Sequence, residues 1–385
     1  MHVLISALHR PCKPTGVCRH AANLARALAA CPEITQVTIA IGAWQHEYFT
    51  TVFDLRSPKI SVTSIDITNS SVSRNIWFLW GLPKLAQQLR PDLVHLSFPL
   101  PFERSRFTCP VVATIHDLYP YEYPENFGRI QATCNRLLLR KCIQQSDGVS
   151  CVSQTTMDRL EYFLPNRPAN QTASVVYNIV DFDRIAPTVP DFFRDRERAP
   201  FILSVGQHRK NKNLDLLIDA YELLLDKYQI EPNIDLVIVG SHGPETANLR
   251  QQIQDLHLET KVHLLSAIDD PQLIWLYQHS QAVILPSSIE GFCLPLAEAL
   301  HLSCQVVCSD IPIFREIGAG ACGYFDFNGD PKSNLARSIH DIIHHPPALT
   351  TDRSPSPFSS TVISHQYLHF YQNILKTTAK SPVLV

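Results

Sequence analysis

Residues 282–298 read Ala282-Val283-Ile284-Leu285-Pro286, Ser287-Ser288-Ile289, then Glu290-Gly291-Phe292-Cys293-Leu294-Pro295-Leu296-Ala297-Glu298. The first part is a short apolar run closed by a proline and two serines, the pattern of a buried strand. Pro295 suits the first position of a helix, where its missing N–H costs nothing, and Ala297, Ala299 and Leu300 continue that helix. Gly291 makes the tight loop between them. The segment therefore reads as strand, loop and helix N-terminus, and backbone N–H groups at Phe292, Cys293 and Leu294 would form an anion site suited to a diphosphate. Glu290 precedes that site, and Glu298 falls in the expected first helical turn. Taken singly, Glu298 would only complement a helix dipole and Glu290 would be a solvated loop residue. Together they do more. Carboxylates do not bind phosphate, but they accept hydrogen bonds from sugar hydroxyls. A diphosphate beside a polyol describes a nucleotide sugar.

Working outward, strand-like and helix-like segments alternate. In the first half, Val3–Ser6, Val37–Ala40, Leu93–Leu96 and Val111–Ile115 are strand-like, with an alanine-rich helix over Arg19–Ala30. Pro187 and Pro190 mark a linker, followed by the charged run 194–198. A second series has strands at Phe201–Gly206, Leu236–Val239, Val262–Leu265, Ala282–Leu285 and Gln305–Cys308, with Asp270 capping a helix that begins at Pro271. This alternation implies parallel, doubly wound sheets. After a Pro/Ser/Thr stretch at 346–361, Tyr367, Phe370, Tyr371, Ile374 and Leu375 form an apolar stripe at helical spacing. The expected domains are 1–185, 186–360 and a terminal helix at 361–385.

At 385 residues the chain is too long for one comfortable core and suits two domains. A net charge of -3 gives no electrostatic case for nucleic acid. The 11 cysteines are scattered without a C-x-x-C pair, which favours reduced thiols in a cytoplasmic protein over a disulfide framework or a zinc site. No signal-peptide pattern opens the chain, and no apolar run approaches the ~18 residues of a membrane span. Ile76-Trp77-Phe78-Leu79-Trp80-Gly81-Leu82 leaves peripheral contact with the inner face of a membrane open, although a buried helix face is the simpler reading.

The string 290–298 resembles the paired-glutamate motif of the family-four (group 1) retaining glycosyltransferases, and further matches extend the resemblance over nearly the whole chain. The resemblance implies a GT-B fold: two Rossmann-like domains facing a central cleft, the first on the acceptor side, the second for the nucleotide-sugar donor, and a C-terminal helix crossing back to the first. Ligands in open α/β sheets sit beyond the strand ends, so four loops stand out. In Thr15-Gly16-Val17-Cys18, Gly16 would let backbone approach a ligand, though the family carries more glycine where Cys18 stands. Thr114-Ile115-His116-Asp117-Leu118-Tyr119-Pro120 resembles the family's cleft segment, which implies that His116 bonds the donor sugar and Asp117 holds the loop. In Gly206-Gln207-His208-Arg209-Lys210-Asn211-Lys212-Asn213, Lys212 matches the family's phosphate-binding lysine. The family's arginine is Gln207 here, so Arg209 or Lys210 would supply the second charge. In the fourth loop the resemblance implies that Glu290 faces the donor sugar, that Gly291, Phe292, Cys293 and Leu294 present backbone to phosphate, and that Glu298 accepts from ribose. Cys293 replaces a family glycine, an exchange that is harmless if its φ is negative.

Asp181-Phe182-Asp183 matches a D-x-D metal signature of another architecture but reads as a domain junction, so no metal and no cofactor is expected. The resemblance implies transfer of a hexose, from GDP-mannose or a UDP-sugar, to a glycan or lipid-linked acceptor with retention of configuration, the leaving phosphate acting as base. It further implies a role in cell-surface polysaccharide or glycolipid synthesis. A nucleotide-sugar epimerase on the same scaffold, or a catalytically silent nucleotide-sugar-binding protein, would share these motifs.

Overall fold

A computed structural model describes residues 1–124, 128–182, 185–195, 199–227, 233–346 and 356–379. The chain divides into two compact units, Met1–Asp181 with Pro355–Val385, and Phe182–Ser354.

The first unit is built on seven parallel strands: β1 (His2–Ser6), β2 (Gln36–Gly42), β3 (Ile60–Ile65), β4 (Leu93–Leu96), β5 (Val111–Ile115), β6 (Gly148–Cys151) and β7 (Thr172–Val175). Their order is β3-β2-β1-β4-β5-β6-β7. Every residue of β4, β5 and β6 is buried, as expected where helices cover both faces of a parallel sheet. The edge strand β3 is only half-buried, and its sequence Ile-Ser-Val-Thr-Ser-Ile is half polar, so it escaped the apolar-run criterion. Strand β6 escaped it because it opens on Gly148 and contains Ser150.

The second unit has six parallel strands: β8 (Phe201–Val205), β9 (Asp235–Val239), β10 (Val262–Leu265), β11 (Ala282–Leu285), β12 (Val306–Ser309) and β13 (Gly323–Phe325), ordered β10-β9-β8-β11-β12-β13. Both sheets reverse direction of winding once, between β1 and β4 in the first and between β8 and β11 in the second. Ligands of doubly wound sheets bind outside the carboxyl ends of the strands at such reversals.

The terminal helix Ser360–Ala379 joins the core of the first unit. Ile363, Tyr367, Phe370, Tyr371 and Ile374 lie in one cluster with Val3, Ile5 and Leu24, whereas Leu375 is only half-buried. Each large apolar side chain buried there contributes roughly 1.5–3 kcal/mol. The polar ends are also satisfied. Tyr371 Oη lies 2.6 Å from His95 Nδ1, and Tyr367 Oη 3.3 Å from Thr114 Oγ1. A Cβ on Gly148 would stand 2.4 Å from Ile374 Cδ1, so glycine is what lets the helix seat against β6.

Several local expectations are corrected. The opening helix spans Gly16–Ala30 rather than Arg19–Ala30, because the Thr15 side chain caps it by accepting from the Cys18 N–H. The cap before Pro271 is Asp269, not Asp270, in a reciprocal capping box with Gln272. The run 76–82 adopts a π turn over Trp77–Gly81, which buries Trp77 and Phe78 and leaves Ile76 and Trp80 exposed. Asp183, residues 196–198 of the charged run and residues 347–355 of the Pro/Ser/Thr stretch lie outside the described residues.

Candidate functional site

In the second unit the two most informative loops meet. The loop after β8 contains a short 3-10 turn over Lys210–Lys212, ends at Asn213 in the left-handed region (φ 48°), and feeds the helix Leu214–Asp226. Asparagine tolerates that conformation better than most residues. The loop after β11 leads to the helix Leu294–His301. Asparagine side chains and backbone stitch the two loops together. Asn213 Nδ2 donates to the Pro286 carbonyl at 2.8 Å, Asn211 Nδ2 to the Ile289 carbonyl at 3.3 Å, and the Ser288 N–H to the Asn211 carbonyl at 2.9 Å. Sequence reading passed over these asparagines, since a polar loop residue carries no mark of its partner.

The result is an ion pair between Lys212 Nζ and Glu290 Oε1. It is largely out of water, with the side chains 17% and 12% exposed. Burial alone would lower the Lys212 pKa, but the Glu290 charge and hydrogen bond carry it above the ordinary lysine value. Lys212 is therefore a firmly charged ammonium. The Arg209 charge is felt at Lys212 as an opposing influence. Lys210 instead binds Asp215 at 2.7 Å and is exposed. Of the two candidates for the second cation, Lys210 is the one already matched by a carboxylate.

Gly206 N–H bonds back to the Val239 carbonyl at 2.9 Å, and a Cβ at 206 would touch the Lys212 stem at 3.4 Å. The tighter constraint is one the sequence reading missed. A Cβ on Gly240 would stand 1.9 Å from the Gly206 carbonyl oxygen, and one on Gly243 would stand 2.3 Å from that of His208. The two glycines after β9 let the basic loop sit down on the sheet end. Their spacing, Gly-x-x-Gly directly after a strand, was the available signal.

Two expectations about residues 291–298 change. Cys293 has φ 65°, in the left-handed region, not the negative φ that would make its replacement of glycine harmless. The strain is of the order of 1–2 kcal/mol for a residue with a Cβ. At the helix start Pro295 has no N–H, and the Leu296 N–H bonds to the Cys293 carbonyl at 3.1 Å, which leaves Leu294 as the first helical donor. Phe292 and Cys293 are buried at this turn. Finally, Glu298 falls beyond the first helical turn; it is buried and accepts from Tyr277 Oη at 3.0 Å. Burial and the Glu298 charge push the Tyr277 phenol well up, so it stays a donor.

In the first unit, residues following β1, β4 and β5 line a cavity of about 240 Å³: among them Val17, Phe98, His116, Asp117, Pro120 and Leu139. His116 Nε2 lies 2.7 Å from the Ser97 carbonyl, so that nitrogen carries the proton and Nδ1 is left as an acceptor. Burial lowers the His116 pKa, keeping the ring neutral. Asp117 Oδ1 accepts the Tyr119 N–H at 3.1 Å and so braces the loop. Gly16 is the first residue of its helix. Behind His116, the ring of His20 packs edge-on at 4.9 Å and bonds Asn178 at 2.9 Å. His20 was not singled out in sequence, because it lies far from the His116 string. Asp181 pairs with Arg26 at 3.3 Å, and among the described residues no group of three His, Cys, Asp or Glu side chains is placed to hold a metal ion.

Comparison with known proteins agrees with this architecture. Residues 14–184 match the model of glycosyltransferase family 4, and residues 189–353 match that of glycosyl transferases group 1. The O-antigen chain mannosyltransferase RfbU of Salmonella typhimurium is 30% identical over 84% of this chain and 86% of its own. The O-antigen chain mannosyltransferase B of Escherichia coli is 24% identical over 85% and 86%. Among solved structures, sucrose-phosphate synthase from Thermosynechococcus elongatus matches with a TM-score of 0.75 at 17% identity, over 99% of this chain and 100% of that one. HepE of Anabaena, in complex with UDP and glucose, matches with a TM-score of 0.63 at 19% identity, over 99% and 100%. Two parallel sheets that each reverse once, a terminal helix returned to the first unit, and a relative similar along most of its length all agree: the chain belongs to the group 1 glycosyltransferases and has the GT-B fold.

Proposed function

We propose that the enzyme is a retaining hexosyltransferase that takes its sugar from a nucleoside-diphosphate donor bound by the second unit, with GDP-mannose preferred over UDP-sugars. The observation that carries this reading is the Lys212–Glu290 pair beyond the ends of β8 and β11. A buried ammonium held charged by a carboxylate is a preorganised group for the charge that develops on a departing diphosphate. Arg209 adds a second cation, and the Leu294 N–H a further donor. Glu290 and Glu298 would accept from sugar and ribose hydroxyls. Asn211 Oδ1, buried without a hydrogen-bond partner among the described residues, is a further acceptor beside Glu290. His116, with Nδ1 available to accept, would position the transferred hexose.

The acceptor is a glycan or lipid-linked glycan, as befits a relative of O-antigen mannosyltransferases, and the enzyme would act in cell-surface polysaccharide or glycolipid synthesis at the inner face of the membrane. Retention would follow from same-face attack, with the leaving phosphate taking the acceptor proton. The preference for a mannosyl donor is supported by the two O-antigen mannosyltransferases, and UDP-sugars remain the competing donors because HepE was solved with UDP. Turnover of radiolabelled GDP-mannose, UDP-glucose and UDP-galactose by the purified enzyme tests the assignment. Transfer from GDP-mannose at least ~10-fold above the others is expected, and turnover of a UDP-sugar alone would overturn the donor preference.

A further inference from the structure

In the first unit, Arg74 on the helix Ser71–Ile76 is only 9% exposed, yet no carboxylate among the described residues pairs with it. Its guanidinium donates to Asn69 Oδ1 and to Ser71 Oγ, both neutral, which uses two of its five N–H groups. Burial, and after it the nearby charge of Arg10, lowers the Arg74 pKa, but a guanidinium stays charged throughout the physiological range. A buried charge without a counter-ion is costly, and a second cation beside it adds to the cost. Asp66, the acidic residue of the same loop, is exposed and forms no ion pair with either arginine. The cost is offset when an anion binds to the two guanidiniums.

The surroundings hold these cations at the carboxyl end of the first sheet. Asn69, whose Oδ1 accepts from Arg74, donates through Nδ2 to the Arg10 carbonyl at 2.9 Å, so the loops after β3 and β1 are tied together. The turn after β2 fixes the loop after β1 as well. Trp44 Nε1 donates to the His9 carbonyl, and the His9 N–H donates to Gln45 Oε1, each at 2.9 Å. His9 Nδ1 is buried with no hydrogen-bond partner among the described residues. Burial, and then the Arg74 charge, holds His9 at about 4, so its ring is neutral and able to donate or accept. The ring meets Phe98 edge-on at 4.9 Å, and Phe98 lines the cavity that contains His116. His9 thereby links the two cations to that cavity.

We propose that Arg74 and Arg10 form a subsite for an oxyanion carried by the acceptor, a phosphate ester or a carboxylate, beside the cavity of His116. The three remaining N–H groups of Arg74 would donate to the anion, and acceptors that carry one would be preferred over neutral sugars. That the anion belongs to the acceptor rests on the acceptor reading given above; that an anion binds here does not.

Titration calorimetry on the full chain with methyl phosphate, methyl glucuronide and neutral methyl mannoside tests the subsite and separates the two sources of the anion. One or both anions should bind at least ~10-fold more tightly than the neutral glycoside, and the binding should weaken as salt is raised. Arg74→Gln should weaken the anion by at least ~10-fold, the scale of one charged hydrogen bond, and the exposed Arg10→Gln by a smaller factor. Without anion, Arg74→Gln should melt no lower than the wild type, because it removes a buried charge that has no carboxylate partner. A lower melting temperature with unaltered anion binding would make Arg74 a structural residue and overturn the proposal. So would an affinity for the anions no greater than for the mannoside, or one that neither variant changes. In transfer assays, the preference for anionic acceptors should disappear in Arg74→Gln. Anion binding through Arg74 with no such preference would keep the subsite and overturn its tie to the acceptor, whereas a preference that survives Arg74→Gln would keep the acceptor reading and overturn the subsite.

Discussion

Lys212 and Glu290 leave neighbouring parallel strands, β8 and β11, on either side of the point where the second sheet reverses its winding, and their side chains pair there. Seventy-eight residues separate them in sequence. The pair joins the two residue types the proposed chemistry needs, a cation for phosphate and a carboxylate for hydroxyls, in one mostly buried spot.

Glu290→Gln keeps the shape and one acceptor oxygen but removes the charge. Turnover should fall by at least ~10²-fold, the scale of one transition-state electrostatic contact, with the fold retained. Steady-state transfer assays and a circular dichroism spectrum check this. Near-normal turnover in a folded variant would remove Glu290 from the site.

Lys212→Ala should weaken a nucleoside diphosphate far more than the bare nucleoside, measured by calorimetry on both ligands. It also removes the cation paired with a mostly buried carboxylate, at a cost of roughly 3–5 kcal/mol. The double variant Lys212→Ala/Glu290→Gln should recover part of that stability. Equal loss for both ligands would mean that Lys212 only supports the fold.

Transfer should proceed without a divalent cation, because Lys212, Arg209 and the Leu294 N–H already present positive charge to the diphosphate. Activity should persist after treatment with EDTA. Activity lost in EDTA and restored by Mg²⁺ or Mn²⁺ would bring Asp181 and Asp183 back into consideration.

Acid should destabilise the first unit through its buried histidines. Burial holds His95 at about 3 and His20 well below the ordinary value. Both are neutral in the folded state but bind protons in the unfolded chain near 6.5. Their contribution is therefore complete above about pH 6.5 and is lost as pH falls toward the folded values. At about pH 5.5 each such histidine costs on the order of 1.4 kcal/mol. Thermal melts at neutral and acidic pH should show the loss, and it should shrink in His95→Gln. A melting temperature indifferent to this range would contradict the assignment.

Gly148→Ala places a methyl against Ile374 and should destabilise the protein by roughly 1–3 kcal/mol, as overpacking of a tight core does. Ile374→Val, which deletes the nearest atom, should relieve part of the penalty in the double variant. Chemical denaturation of all three variants measures the coupling, and additive effects would show that the terminal helix does not press on β6 as described.

Much of the scaffold was legible before any coordinates. Leu236–Val239 of β9 and the whole of β11 are unbroken apolar runs because both faces of a parallel sheet are covered, so period and composition suffice to find them. Edge strand β3, glycine-opened β6 and the three-residue β13 have no such run, and only pairing with a neighbour defines them.

The sequence by itself determined the α/β alternation, the two-unit organisation, the amphipathic terminal helix and the loops that hold the candidate site residues, since these depend on local periodicity and turn chemistry. The tertiary structure alone decided which residues meet. It paired Lys212 with Glu290, tied Lys210 to Asp215, gave Glu298 to Tyr277 and set the ring of His20 behind His116. It also put Cys293 at positive φ, because the backbone must turn sharply into the helix whether or not a glycine is present. Backbone preference is a property of a few neighbouring residues, whereas partners, burial and charge coupling are fixed only when strands distant in sequence lie side by side.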